Sequence, residues 1–422
     1  MRKIRSGQSF LYREQGYNST IIEVNMNDII HGELLQAALE KTTERFPYMM
    51  DKLVEKESSY YLCPNNSVPM QVAKTTNFRS LGSKEVGYHL LDVTFIDNSI
   101  RVAFHHAFCD GRGVKPFVET LVYYYCCLKY EKVFSCEGIH IVEEVPDASE
   151  VMEPFGSQPF DVNENDIRSV DRDGFSLPES TISPKGCYRT SIMVNQAEFV
   201  SFAKAHKATP SILTAILVSS SIHQIHPEAD KSIICNLAID FRPALSMKNV
   251  HKNCTGIIYL SYSKADSKRE IPNLASTYRA LLSDQRNANA VKASVNSQIA
   301  LFNRVDQAKT MKEKQELLSF INNTCLNSYV ISYLGQMNFN DFGKHVNSAH
   351  LYSGEIKGLT VNMVAAGDTI SFDFIHGFEN NEYTKGFLEN LDNIGINYTS
   401  TETCPISTGI DASYLMASQQ LE

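Results

Sequence analysis

The 422-residue chain repeats itself once. Residues 99–121 align without a gap to residues 369–391 at a constant offset of 270, and eight of these 23 positions are identical. The pairs are Ile100/Ile370, Phe104/Phe374, His106/His376, Phe108/Phe378, Lys115/Lys385, Phe117/Phe387, Glu119/Glu389 and Leu121/Leu391. Two strand–turn–helix units of the same periodicity agree by chance at apolar positions, but shared His, Lys and Glu are less easily explained that way. In the first copy, Ile100, Val102, Phe104 and His106 alternate with Arg101, Ala103 and His105, the period of a strand. Val114, Phe117, Val118, Leu121, Tyr125 and Leu128 then recur at helical spacing. A short turn precedes each copy, Asp97-Asn98 in one and Gly367-Asp368 in the other. A duplicated unit of this kind predicts two similar halves.

The stretch between the copies differs in character from both. From Glu143 to Glu179 there are eleven acidic residues against Arg168 and Arg172, a surplus of nine that equals the formal charge of the whole chain. Pro146, Pro154, Pro159 and Pro178 interrupt regular structure there. The expected organisation is an amino-terminal half at 1–142, an acidic linker at 143–186 lying over the surface, and a carboxy-terminal half at 187–422.

Composition narrows the class. Hydrophobic residues make up 43% of the chain, enough for a substantial core. A net charge of −9 and the absence of a basic run speak against a nucleic-acid binder. No apolar run approaches the roughly eighteen residues of a membrane span, and Met1 to Gln8 lead into no leader-like apolar region, so a cytoplasmic monomer is expected. Ten cysteines show no CxxC pair, and Cys126-Cys127 is badly placed to bridge to itself. His223-x-x-His226 and His345-x4-His350 lack carboxylate or thiol companions, so no metal site is expected.

The chemistry concentrates in the first copy, in His105-His106-Ala107-Phe108-Cys109-Asp110-Gly111, a pattern HHxxxDG between strand and helix. A neutral imidazole at a strand end can take a proton from an alcohol or amine attacking a carbonyl. Asp110 is too far along for an assured bond to the same ring and is expected to bind a cation elsewhere and hold the turn. Gly111 is expected to allow a turn backbone that other residues resist. In the second copy Ile375, Asn380 and Asn381 replace His105, Asp110 and Gly111, so that copy has lost the pattern.

HHxxxDG resembles the signature of the chloramphenicol acetyltransferase and condensation-domain superfamily, and is closest in feel to its alcohol acetyltransferase-like members. Three weaker landmarks spread the resemblance over nearly the whole chain. They are the segment Ile29–Leu39 with Arg45-Phe46-Pro47, the Asp240-Phe241-Arg242-Pro243 run, and Ser332-x-x-Gly335. The DFGWG motif of plant-type members is absent, and the chain has no Trp.

The resemblance implies an α+β fold of two similar halves, each a mixed sheet with packed helices, facing across a central tunnel. It implies acyl transfer from a thioester, acyl-CoA above all, to a small alcohol or amine. His106 would be the general base, with no acyl-enzyme and no permanently bound cofactor. His105, Asp110 and Gly111 would support the site, Arg242 of the second half would pair with Asp110, and Ser332 or Asn253 would contact the oxyanion or substrate. Two alternatives stay open: a free-standing condensation enzyme fed by an acyl carrier protein, and a catalytically silent binding protein of the same fold. A thioesterase with Cys109 as nucleophile is disfavoured, because small buried cysteines are usually packing residues.

Overall fold

The computed structural model of the protein describes residues 1–12, 19–167, 170, 172–178, 186–324, 328–354 and 358–406. Arg168, Asp171 and Glu179 of the acidic stretch lie outside the described residues. The amino-terminal region runs β1 (Arg2–Lys3), α1 (Gln8–Leu11), β2 (Ser19–Met26), α2 (Gly32–Arg45), β3 (Lys52–Lys56), β4 (Ser59–Cys63), β5 (Ala73–Lys74), β6 (Leu91–Ile96), β7 (Ser99–His105) and α3 (Gly111–Lys129). After the acidic stretch come β8 (Tyr188–Asn195), α4 (Gln196–Ala205), α5 (Pro210–Ile225), β9 (Ile233–Asp240), α6 (Arg242–Leu245), β10 (Thr255–Tyr262), α7 (Ile271–Arg286), α8 (Ala288–Gln307) and α9 (Met311–Thr324). The chain closes with β11 (Tyr329–Gln336), β12 (Val346–Ser353), β13 (Leu359–Ala366), β14 (Thr369–His376), α10 (Glu382–Asn393), β15 (Tyr398–Ser400) and β16 (Cys404–Pro405).

Two large sheets carry the molecule, one ordered β12-β2-β7-β6-β5 and the other β10-β9-β11-β13-β14-β8-β15, with β16 also on β8. The duplication runs deeper than the aligned residues. In one sheet β2 flanks the second strand of the β6–β7 hairpin, and in the other β8 flanks the second strand of the β13–β14 hairpin. α3 follows the first hairpin and α10 the second. Each sheet buries one face under helices. Ile22, Val24, Val102 and Phe104 join α2 and α3 residues in one core, while Ile192, Ile370, Phe372 and Phe374 join α4, α5 and α10 residues in the other. Because side chains alternate across a strand, the neighbouring Ile21 and Ala103 point the other way. They pack with Cys187 and Ile375, which closes the first sheet against the second half.

The second half lends a strand to the first. β12, from the carboxy-terminal part of the chain, pairs antiparallel with β2 as the edge strand of the amino-terminal sheet, in a register running from Val346↔Met26 to Ser353↔Thr20. Around this strand lies a buried charged network. Arg189 of β8 reaches both Asp373 of β14 at 2.8 Å and Glu23 of β2 at 3.7 Å, and the Tyr352 hydroxyl donates to Glu23 at 2.5 Å.

The acidic stretch is more than a surface strap. Glu150 is 3% exposed and pairs with Arg45 at the end of α2, and Phe155 packs beside Phe241 and Cys254. Residues 68–72 form no strand, and Pro69 among them has no N–H to give a neighbour; pairing resumes at β5.

Candidate active site

The hydrogen-bonded strand β7 ends at His105, so His106 is the first residue free of the ladder. His105 is fully buried. Its Nδ1 accepts the Ala107 N–H at 3.1 Å, and burial, with His106 adjacent, drops its pKa to about 3. It is a neutral, structural ring at any ordinary pH.

His106 is half-buried and held on two sides. The Phe10 ring of α1 stacks on the imidazole, with centroids 4.0 Å apart and planes 12° from parallel. Asn253, in the loop before β10, brings its Nδ2 to 3.0 Å from His106 Nδ1 and donates to the His106 carbonyl at 3.1 Å. α1 lies close because Gly7 leaves no room for a side chain: a Cβ there would stand 2.0 Å from the Ala107 carbonyl oxygen.

The turn after His106 is locked by Asp110. As N-cap of α3 it accepts the Gly113 N–H at 2.7 Å on Oδ1. Arg242 grips it with two parallel bonds, Nη1 to Oδ2 at 3.0 Å and Nη2 to Oδ1 at 2.8 Å. The Cys254 N–H and the Thr255 hydroxyl donate to Oδ2 at 2.8 and 3.0 Å. The remaining donors of Arg242 go to Val250 O, Lys252 O and Asp240 Oδ1, so the guanidinium is saturated. Burial alone would raise the Asp110 pKa, but the Arg242 charge and these hydrogen bonds override it and hold the carboxyl below its ordinary value. The local partner Asp240 and the distant partner Asp110 thus share one arginine.

Gly111 does not play the part expected of it. It opens α3 without a left-handed backbone, and an added Cβ would meet Leu334 Cδ1 of β11 at 3.2 Å. Its value is space for the second half, not torsional freedom. Ser332 lies two residues before Leu334 on β11 and therefore on the same face of that strand, between β9 and β13. Asn253, expected with Ser332 as an oxyanion or substrate contact, lies against His106.

Cys109 is 1% exposed, and burial, with Asp110 adjacent, pushes its thiol pKa well above the ordinary value, which is the wrong direction for a nucleophile. The degenerate copy is sealed: His376 is 1% exposed, donates from Nδ1 to the Phe378 carbonyl at 2.6 Å and lies against Phe378 and Tyr188.

A cavity of about 650 Å³ opens beside the Asp110–Arg242 lock, lined among others by Arg45, Arg112, Lys115, His140, Lys248 and His251. Its wall holds a buried chain in which Tyr48 donates to Glu150 at 2.5 Å and accepts from His251 at 2.8 Å, while Arg45 forks onto Glu150. Burial drops the His251 pKa to about 4. The sequence did carry a signal for this chain, because Asp147 and Glu150 form a capping box.

Ser348, His350 and Asp373 also line up, with Ser348 Oγ 3.1 Å from His350 Nε2 and His350 Nδ1 3.2 Å from Asp373. All three are buried, and Asp373 is committed to Arg189 and Ser191, so this is a structural network and not a hydrolase triad. The other paired histidines are likewise spoken for, His226 by the Tyr383 hydroxyl and His345 by the face of Tyr130.

Neither a protein-family model nor a curated protein sequence matches the chain. Solved structures do. Polyketide synthase associated protein 5 from Mycobacterium tuberculosis superposes with a TM-score of 0.60 over 93% of this chain and 97% of its own, at 13% identity. TRI101 of F. sporotrichioides, complexed with coenzyme A and T-2, gives 0.59 over 94% and 99%, at 12% identity. The first condensation domain of the CDA synthetase gives 0.57 over 93% and 94%, at 12% identity. The fold is therefore an α+β, two-lobed architecture shared with these TRI101 and condensation-domain structures. At these identities the likeness establishes the fold alone.

Proposed function

We propose that the protein is an acyltransferase that moves an acyl group from a thioester, acyl-CoA in the first instance, to an alcohol or amine. The observation that carries this reading is His106. It is the one motif imidazole left half-exposed, and it sits beyond the end of a strand, stacked by Phe10 and contacted by Asn253, next to a turn locked across the two halves by Asp110 and Arg242. The other titratable members of the motif, His105, Cys109 and Asp110, are buried, which leaves one group to handle protons.

In the proposed reaction His106 takes the proton of the acceptor as its oxygen or nitrogen attacks the thioester carbonyl. The tetrahedral oxyanion collapses, the carbon–sulfur bond breaks, and the ring returns its proton to the leaving thiolate. Direct transfer needs no acyl-enzyme, consistent with the buried Cys109. The oxyanion needs a donor, and Ser332, on the β11 face that approaches Gly111 through Leu334, is the side chain proposed for it. Support from outside the chain is the fold shared with TRI101, whose structure contains coenzyme A.

The likeness to a condensation domain supports a second donor, an acyl group tethered to a carrier protein. One assay separates them: free-thiol release from a panel of acyl-CoAs and from an acylated carrier protein, with and without alcohols and amines. Acceptor-dependent release from either donor supports the reading. A protein that binds these donors with no acceptor-dependent release from any of them is a silent member of the fold.

A further inference from the structure

We infer that Asn253 is a positioning residue that fixes which nitrogen of His106 carries the proton in the ligand-free protein. The inference rests on His106 being the reacting imidazole and concerns how that ring is prepared. Three contacts decide which end of the Asn253 amide faces the histidine. The Thr255 N–H donates to Asn253 Oδ1 at 3.2 Å, so the oxygen is turned away from the ring. The amide nitrogen therefore faces His106, where it donates to the main-chain carbonyl at 3.1 Å and stands 3.0 Å from Nδ1. Turning the amide over would set Oδ1 against the His106 carbonyl oxygen and Nδ2 against the Thr255 N–H, two like-with-like contacts in a segment that is 4% exposed at Asn253.

An amide N–H can only donate, so Nδ1 must accept, and the neutral ring carries its proton on Nε2. Asn253 does not float. Cys254 N–H and Thr255 Oγ1 on the same loop are bonded to Asp110, and Arg242 Nη2 holds the Lys252 carbonyl just ahead of it. The lock that joins the two halves thus also sets the tautomer. The resting enzyme offers Nε2–H as a hydrogen-bond donor. Nε2 can accept a proton only once the ring proton has moved to Nδ1, which requires the Asn253 amide nitrogen to withdraw from Nδ1 as substrate binds.

The tautomer is read without any substrate, in the full-length protein labelled with ¹⁵N-histidine, from two-bond ring correlations that separate protonated from unprotonated nitrogens. The His106 signals are assigned by their loss in His106→Gln. In the wild type, Nδ1 is expected at the unprotonated position and Nε2 at the protonated one. In Asn253→Asp the carboxylate can only accept, so the two positions should exchange. A wild-type ring protonated at Nδ1 overturns the inference, as does an Asn253→Asp protein whose ring pattern is unchanged. Should the aspartate variant not fold, the wild-type spectrum decides alone. Because the readout needs no turnover, its failure is distinct from failure of the acyltransferase reading, which only the thiol-release assay addresses.

Discussion

Arg242 spends two of its five N–H donors on Asp110 and the other three on Val250 O, Lys252 O and Asp240, all inside the protein. Both partners of the fork are buried, at 2% and 1% exposure, and they come from opposite halves of the duplicated chain. Removing one strands the other as a buried charge, which typically costs about 3–5 kcal/mol. Arg242→Ala and Asp110→Ala should each lower the melting temperature and the rate. Thermal unfolding of both singles and the double variant closes the cycle: the double should be little worse than either single, whereas additive losses would mean the two act independently.

Gly113 gives a second test of the same junction. A Cβ there would stand 2.0 Å from the His251 carbonyl oxygen, a backbone atom that cannot swing aside. Gly113→Ala should push the start of α3 away from the 250–254 loop and cost about 1–3 kcal/mol of overpacking. Ala is otherwise the better helix former by about 1 kcal/mol. A stabilised Gly113→Ala protein, measured by denaturant unfolding, would show that the loop does not lie there.

Acid should weaken the fold through its buried imidazoles. His105 and His251 titrate near 3 and 4 in the folded chain, both lowered mainly by burial. In the unfolded chain they bind a proton near pH 6.5, so between these values the unfolded state holds more protons and stability falls as the pH is lowered. The loss begins below about pH 6.5 and by pH 5 amounts to roughly 2 kcal/mol for each ring. Asp110, lowered in the folded state, keeps its contribution through that window and loses it only at lower pH. Denaturant midpoints at pH 7 and pH 5 check this; His105→Gln, lacking one titrating ring, should show a shallower decline.

Cys109→Ala should keep most of the acyl-transfer rate, since the thiol is buried and its pKa is pushed up by burial. Mass spectrometry of the protein after incubation with acyl-CoA should find no acyl adduct on Cys109. A stoichiometric adduct there would favour an acyl-enzyme route.

The hairpin and helix around HHxxxDG were legible because strand and helix periods and the turn at Asp97-Asn98 are local properties of the chain. The second copy was legible for the same reason, through its offset alignment. What could not be read was where distant segments land. Nothing in Val346–Ser353 says that it leaves its own half to become an edge strand beside β2. The acidic stretch read as a solvated strap because charge is what its composition shows. Its two anchors, Glu150 and Phe155, depend on partners at Arg45 and Phe241 far along the chain. Gly111 was assigned a torsional role where the structure gives it a steric one, since the sequence does not reveal Leu334 opposite. Phe10 was missed because α1 is only four residues long; the apolar Phe10-Leu11-Tyr12 cluster after Gly7 was the available signal.

The central claim is that His106 handles the proton in acyl transfer, and kcat of His106→Ala against His376→Ala tests it most directly. With acyl-CoA and an accepted alcohol or amine as substrates, and folding of both variants verified by circular dichroism, His106→Ala should lose about 10²–10⁴-fold in kcat. His376→Ala, altering a sealed ring of the second copy, should change kcat far less while lowering thermal stability. A folded His106→Ala protein with near-normal kcat, or a His376→Ala protein equally impaired in kcat at full stability, would contradict the account.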